Sequence, residues 1–377
     1  MKIETERLVI TEFTMDMAEA VHLNSLDEDN RRFVPDEVFE TIDDAAETIE
    51  FLMSVYKSGE GPLVYPILLK NNTYIGYVQA VPFEDGTYEI GYHIGADYTK
   101  YGYATEAVKA FLPVIMPKLA IERIQGICLS DNKASVKVME RCGFIKEYEG
   151  IGFYQDENRP ICRFYFDLPL FNAGVTSKLA QYIHDEIFPQ YAKNDKGHQL
   201  EHIRYVINRS LRFMEQFENL SADMVYTIAA YHDIAHHINK DEHEILSAKA
   251  LQNDVKLKLF FTDEQITMMK EAVEDHRASL EYEPRNDYGK IVSSADRSTD
   301  IDGFFKRTHA YSLKHFPEYT ELERMKRCYQ HMKDKYGSGG YAKNYVIDKE
   351  YIQFLKTIRE LLNDWDAFEA KYRAITE

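Results

Sequence analysis

Residues 94–111 read IGADYTKYGYATEAVKAF, passing from an apolar alternating segment into a helical pattern through Gly102 and Ala104. Small residues at such a junction let the backbone come close to a ligand. The free N–H groups of the first helical turn, with the helix dipole behind them, suit an anion such as a pyrophosphate. A glycine before a helix is also an ordinary turn, so the flanking sequence has to be read with it. Upstream, Thr73–Val81 (TYIGYVQAV) and Thr87–Gly95 (TYEIGYHIG) are β-rich, and Glu84-Asp85-Gly86 between them signals a hairpin. Downstream, Ser130–Phe144 (SDNKASVKVMERCGF) offers Asp131 or Asn132 as a helix cap and Gly143 as its stop. Ile161–Leu168 is a further strand candidate, and Asp43–Tyr56, Thr105–Leu119 and Lys133–Cys142 have helical patterns.

The chain has 377 residues, enough for two or three domains, and 45 % are hydrophobic, ample for two packed cores. No apolar run approaches the roughly 20 residues that span a bilayer. The opening MKIETERLVI lacks a signal-peptide pattern, so a cytoplasmic location is expected. Cys128, Cys142, Cys162 and Cys328 form no CxxC pair and read as reduced thiols. A net charge of −18 without a Lys/Arg run disfavours nucleic acid and anionic membranes as partners. Any anionic substrate has to be held by local devices: helix N-termini, single cationic side chains or metal ions.

From about Ser177 the strands vanish and amphipathic helical patterns follow one another. The change falls at Pro169–Val175 (PLFNAGV), expected to be a linker, and Gly337–Gly340 (GSGG) is expected as a second flexible point before a last helical pattern from Asp348 to about Tyr372. In this half, histidines lie on helical stripes. His202 shares one with Val206, Phe213 and Phe217, and His232 shares one with Val225, Ile228 and Ala229, with Asp233 adjacent. His243 lies over Leu246 and Ala250. His276 continues Ile266, Met269 and Val273 behind a Thr262…Gln265 capping box, and Asp296 ends the apolar stretch KIVSSAD. One histidine on an apolar face is usually a satisfied core residue. Four, with two carboxylates, would cost about a few kcal/mol each if buried without partners, and a shared metal ion removes that cost. Imidazoles with carboxylates suit one or two divalent ions such as Mn, Fe, Zn or Mg.

Taken together, the opening ETERLVITEF, the strand pair, KYGYATEAV and DNKASVKVMERCGF resemble the GNAT N-acetyltransferase superfamily, in its ribosomal-protein-alanine acetyltransferase-like branch. The resemblance implies that Tyr101, Gly102, Tyr103, Ala104 and Thr105 cradle the pantetheine-pyrophosphate of acetyl-CoA. It also implies that Asn132 and Ser135 lie beside the thioester or the pantetheine arm, Ser135 as a catalytic residue. Where the family favours Arg or Gln three residues before the first Gly, with another Gly after it, this chain has Thr99 and Lys100. Lys100 is then a candidate phosphate partner. In TYEIGYHIG, Tyr88, Ile90, Tyr92 and Ile94 share one face, and Glu89, Gly91 and His93 the other. Glu89 is either the base that deprotonates the amine or a solvent-facing strand carboxylate.

The order His202…His232-Asp233…Asp296 is similar to that of the HD phosphohydrolase superfamily, and His243 with His276 matches its two-metal branches. The resemblance implies a first ion on His202, His232, Asp233 and Asp296. A second would take His243 and His276, with Asp233 bridging and catalytic. His236 or His237 stands where some branches carry a lysine. Arg277 and Arg297, next to ligands, are phosphate contacts or salt-bridge partners. The expected architecture is therefore two domains: an α+β GNAT-like mixed sheet flanked by helices over 1–170, then an all-α HD-type helical bundle over 176–377. The expected function is an acetyl-CoA-dependent N-acetyltransferase fused to a metal-dependent phosphohydrolase. Its partners would be a small-molecule or protein amine acceptor and a phosphate ester such as a nucleotide, and a homodimer is allowed. The alternative is one catalytic domain regulated by the other acting as a ligand or metal sensor.

Overall fold

A computed structural model describes residues 1–59 and 61–376 and falls into two compact units, Met1–His184 and Asp185–Glu377. The first is a mixed sheet with flanking helices. Its strands are β1 (Ile3–Glu4), β2 (Leu8–Ile10), β3 (Leu63–Leu69), β4 (Tyr74–Pro82), β5 (Tyr88–Ile94), β6 (Arg123–Leu129), β7 (Ile145–Tyr154) and β8 (Glu157–Asp167). They lie in the order β1-β2-β3-β4-β5-β6-β8-β7. Its helices are α1 (Ala18–Ser25), α2 (Glu28–Phe33), α3 (Ile42–Ser58), α4 (Tyr103–Lys118), α5 (Lys133–Cys142), α6 (Leu168–Ala173) and α7 (Ser177–Tyr182). The β4–β5 hairpin forms as expected, closed by Gly86 at φ +83°, whose N–H donates to Phe83 O at 3.0 Å.

Strands β5 and β6 run parallel and pair at Glu89 and Gln125. The alternation read from the sequence holds in β5: Ile90 is buried in the core and Tyr88, Tyr92 and Ile94 pack against it. Helix α4 supplies Phe111, Leu112, Ile115 and Met116 to that core, all fully buried. At about 1.5–3 kcal/mol each, that burial outweighs the two prolines, Pro113 and Pro117, in its later turns. The start of α4 is pinned by the chain's opening segment. Glu106 accepts from Thr5 Oγ1 at 2.6 Å and from Arg7 Nε at 2.6 Å, and the Arg7 guanidinium lies over the Tyr103 ring.

Residues 169–175, expected as a linker, are largely the short helix α6. Asp167 caps it, Leu168 and Leu170 are buried, and Gly174 at φ +81° ends it. Proline in a first helical turn reads as a break in sequence, yet there its missing N–H costs nothing. The fold then continues through α7, where Gln181 accepts from Lys146 N at 2.7 Å and donates to Lys146 O at 2.9 Å, pairing with β7 at its bulge.

The second unit is helical: α8 (Leu200–Met214), α9 (Ala222–Tyr231), α10 (His243–Asn253), α11 (Asp263–Glu274), α12 (Asp287–Ala295), α13 (Ile301–His315), α14 (Glu321–Tyr336), α15 (Lys349–Asn363) and α16 (Trp365–Thr376). Helices α13–α16 enclose a core of their own around Phe305, Met325, Cys328, Phe354 and Phe368. The single pattern expected from Asp348 to Tyr372 is two helices, because Asp364 ends α15 and caps Ala367 N at 3.0 Å. The GSGG segment is a hydrogen-bonded turn: Gly340 N donates to Gly337 O at 2.9 Å, and Tyr341 N to Asp334 O at 3.1 Å. The buried Arg209 of α8 donates to Ala295 O at 3.0 Å and Arg297 O at 2.5 Å, and pairs with the buried Asp348 carboxylate at the cap of α15.

Candidate functional site

In the first unit a cavity of about 700 Å³ opens where β5 and β6 part, beside the starts of α4 and α5. Gly102 sits at the N-cap of α4 with φ +83°, a left-handed conformation that glycine adopts freely. Gly102, Tyr103, Ala104 and Thr105 line the cavity, with Thr99 and Lys100 before them. The Tyr101 side chain is 63 % exposed, its ring lies 5.8 Å from that of Tyr103, and its carbonyl accepts from Arg7 Nη1 at 3.0 Å. Asn132 is the N-cap of α5, its Oδ1 accepting from Ser135 N at 3.0 Å, and both residues line the cavity. Ser135 Oγ lies 2.9 Å from the Tyr92 hydroxyl.

Glu89 lines the same cavity, and burial raises its carboxyl to about 7 although the Ile127 N–H donates to it. Glu37, which the sequence reading missed, is likewise raised to about 7 by burial, with Gln79 Nε2 donating to it at 3.1 Å. It belongs to a short 3-10 turn, Pro35–Glu37, that has no periodicity to reveal burial. Tyr92 was also missed as a functional group. Burial holds its hydroxyl far above the usual phenol range, so it remains a proton donor at neutral pH. The charged lining is divided by origin. Lys100 comes from the loop before α4 and Lys133, Lys137 and Arg141 from α5, whereas Asp29, Asp36 and Glu37 come from the segment after α1 and Glu89 from β5.

In the second unit the six residues singled out from sequence converge. His202 Nε2 lies 3.2 Å from Asp296 Oδ1 and 3.7 Å from Asp233 Oδ2, and His232 Nε2 lies 3.5 Å from Asp233 Oδ2 and 3.9 Å from Asp296 Oδ1. The other oxygen, Asp233 Oδ1, faces His243 Nε2 at 3.2 Å and His276 Nε2 at 3.5 Å. Local structure orients the rings. The Nδ1 of His232, His243 and His276 lies 2.8, 2.9 and 2.6 Å from the carbonyl oxygens of Ala229, Lys240 and Val273. Each Nδ1 therefore donates, and each Nε2 turns inward as an acceptor. His243 is the first residue of α10, and His276 lies just past the end of α11 rather than on its stripe.

Burial alone would raise the Asp233 and Asp296 carboxyls, but His232 and His276 around the first and His202 beside the second hold both below the usual carboxylate range. Burial lowers His232 to about 4, so its ring stays neutral. A cavity of about 240 Å³ adjoins, lined by Asp233, His243, His276 and Asp296 and also by Arg277, Lys335 and His198. Lys335, missed in sequence, is lowered by burial to about 8. Arg277 lines the cavity and pairs with Glu244 at 3.1 Å. Arg297 is buried, donating to Ser293 Oγ at 2.6 Å and Lys343 O at 3.2 Å, which makes it a structural residue.

Two family models match the chain: an acetyltransferase (GNAT) domain over residues 7–145 and an HD domain over residues 200–299. Among curated proteins, the "Uncharacterized N-acetyltransferase YnaD" of Bacillus subtilis (strain 168) is 30 % identical over 157 residues, covering 41 % of this chain and 86 % of the relative. A GNAT-family acetyltransferase structure from Bacillus anthracis matches at 28 % identity and TM-score 0.39, covering 45 % of this chain and 99 % of that one. The structure of the microcin C7 self immunity acetyltransferase MccE in complex with acetyl-CoA and AMP matches at 22 % identity and TM-score 0.37, covering 43 % and 93 %. Among the described residues no helix is long and apolar enough to cross a membrane. By its two family models and its 30 % identity to the Bacillus subtilis relative, the chain belongs to the GNAT N-acetyltransferase family and joins that domain to an HD domain.

Proposed function

We propose that the chain is a bifunctional enzyme, an acetyl-CoA-dependent N-acetyltransferase joined to a metal-dependent phosphohydrolase that acts on a nucleotide or a related phosphate ester. The observation that carries the hydrolase half is the pair His243 Nε2 and His276 Nε2, 3.2 Å apart, each with its Nδ1 committed to a carbonyl. Two such nitrogens need a cation between them, a proton or a metal ion. His202 Nε2, His232 Nε2 and Asp233 Oδ1 are also buried without a hydrogen-bond partner. One proton cannot satisfy that set, whereas divalent ions fit it. His202, His232, Asp233 and Asp296 would hold one ion; His243 and His276 would hold a second, with Asp233 offering an oxygen to each. Ions there supply an activated water and positive charge for phosphoryl oxygens. Arg277 and Lys335, on the wall of the adjoining cavity, would bind and orient the ester.

In the transferase half, backbone N–H groups at the start of α4 bind the pyrophosphate of the cosubstrate, with Lys100 beside them. The carboxylates of the 29–37 segment draw in the acceptor as a cationic amine. Glu89 takes the proton from its nitrogen. The Ser135 and Tyr92 hydroxyls, hydrogen-bonded to each other, hold a proton for the departing sulfur.

The test is Asp233→Ala in the full chain, assayed by elemental analysis, hydrolysis of a panel of nucleoside phosphates, and CoA binding. Loss of metal and of hydrolysis together, with CoA binding intact, is expected. Full hydrolysis in the variant would overturn the reading. Metal in the parent without turnover of any ester would favour a sensor role for this half.

A further inference from the structure

We infer that Asp195, His198 and His236 form an additional divalent-metal site beside the centre described above, built from none of its ligands. One ligand atom from each of the three residues lies within 4.8 Å of the others. His198 Nδ1 is 2.7 Å from Asp195 Oδ1, and His236 Nδ1 is 3.9 Å from Asp195 Oδ2. Ligand atoms held at about 2.1 Å from one ion stand roughly 3–3.5 Å apart, so modest side-chain adjustment closes the set. His236 is only 6 % exposed, and its Nδ1 is buried without a hydrogen-bond partner. A buried imidazole nitrogen left so bears its full desolvation penalty unless something is bound to it. The His198 and His236 rings stack with centroids 3.7 Å apart, so both imidazoles stand together beside Asp195.

The frame around the cluster is fixed before any ion binds. The buried Asn194 donates through Nδ2 to Asp233 O at 2.9 Å and to His198 O at 3.1 Å, and its Oδ1 accepts from His237 N at 3.0 Å. One amide thus ties the loop carrying Asp195 and His198 to the turn carrying His236. Lys240 Nζ lies 2.9 Å from Asp195 Oδ2, and Asp195 Oδ1 accepts from Gly197 N at 3.1 Å, so both oxygens of the carboxylate are held in place. Two imidazoles and one carboxylate suit a borderline ion such as Zn²⁺, Mn²⁺ or Fe²⁺ better than Mg²⁺. The His236 and His243 rings are 5.1 Å apart, and His198 lines the same cavity as Asp233 and His243, so this ion would adjoin the pair proposed above.

The test is metal stoichiometry of the full chain, stripped with a chelator, reloaded with Mn²⁺, desalted and measured by elemental analysis, with circular dichroism to confirm folding. The parent should hold three equivalents, and Asp195→Ala, His198→Gln and His236→Ala should each hold one fewer. Asp233→Ala should lose the bridged pair and keep this ion. A parent with two equivalents, both lost in Asp233→Ala and neither in the Asp195 or His236 variants, would overturn this site and leave the bridged pair standing. A parent ion that Asp195→Ala removes and Asp233→Ala spares would sustain this site even if the pair failed.

Discussion

Glu89→Gln keeps the side chain's size and removes its basicity. Burial places the Glu89 carboxyl at about 7 rather than near the ordinary value of 4.5. The direction follows from the raised value: the base is ionised above pH 7 and is lost as pH falls through it. About a tenth is ionised at pH 6, half at pH 7 and nine tenths at pH 8, so catalysis through it should rise about tenfold from pH 6 to pH 8. A positioned base contributes roughly 10²–10⁴-fold, the expected deficit of the variant on the alkaline plateau. The assay is kcat/KM for acetyl transfer to a fixed amine from pH 5.5 to 9, with the parent-to-variant ratio taken at each pH so that titration of the amine cancels. The affinity for CoA should not change, because the cradle is made of backbone groups at the far helix start. Glu37→Gln, run in parallel, separates the two carboxylates that share this range. A flat ratio near one, or a midpoint near 4.5, would refute the reasoning and leave Glu89 a buried strand residue.

Gly102→Val should weaken CoA binding at least tenfold by calorimetry, with the far-UV spectrum unchanged. An added Cβ would meet Arg7 Nη2 at an ordinary 3.7 Å, so the loss comes from the φ of +83° and the blocked approach, at about 1–3 kcal/mol; parent-like affinity would move the cradle elsewhere. Expressed separately, residues 1–184 and 185–377 should each be soluble and melt cooperatively, and insolubility of both would point to a shared core.

Much of this organisation was legible because two periodicities carry it. His202 announced itself by standing on the apolar stripe of α8, His232, Asp233, His276 and Asp296 by following closely on buried helical runs, and the β4–β5 hairpin by alternation closed at Gly86. The remainder had no such signature. Strand β3 is buried on both faces and holds Pro66, so it neither alternates nor reads as a strand. Strand β7 is largely exposed and carries Gly150 and Gly152, leaving no apolar stripe. Asp195 and His198 lie on a loop and a 3-10 turn, and His236 on the turn after α9, where no period relates them; only tertiary folding brings them together. The equal footing of Glu37 and Glu89 is a consequence of burial, which sequence spacing records for a strand and not for a three-residue turn.

The Arg209–Asp348 pair has a consequence for the modularity of the chain. Arg209 holds the carbonyls of Ala295 and Arg297, which flank Asp296, while its charge is neutralised from the cap of α15. A message ending before codon 348 would encode every histidine and aspartate of the ion centre. It would also leave a guanidinium without its counter-charge in a low-dielectric interior, a fault worth about 3–5 kcal/mol. The helices after residue 348 contribute none of the converging histidines and aspartates, yet they are inseparable cargo: a graft of this HD module onto another partner has to carry its C-terminal tail with it.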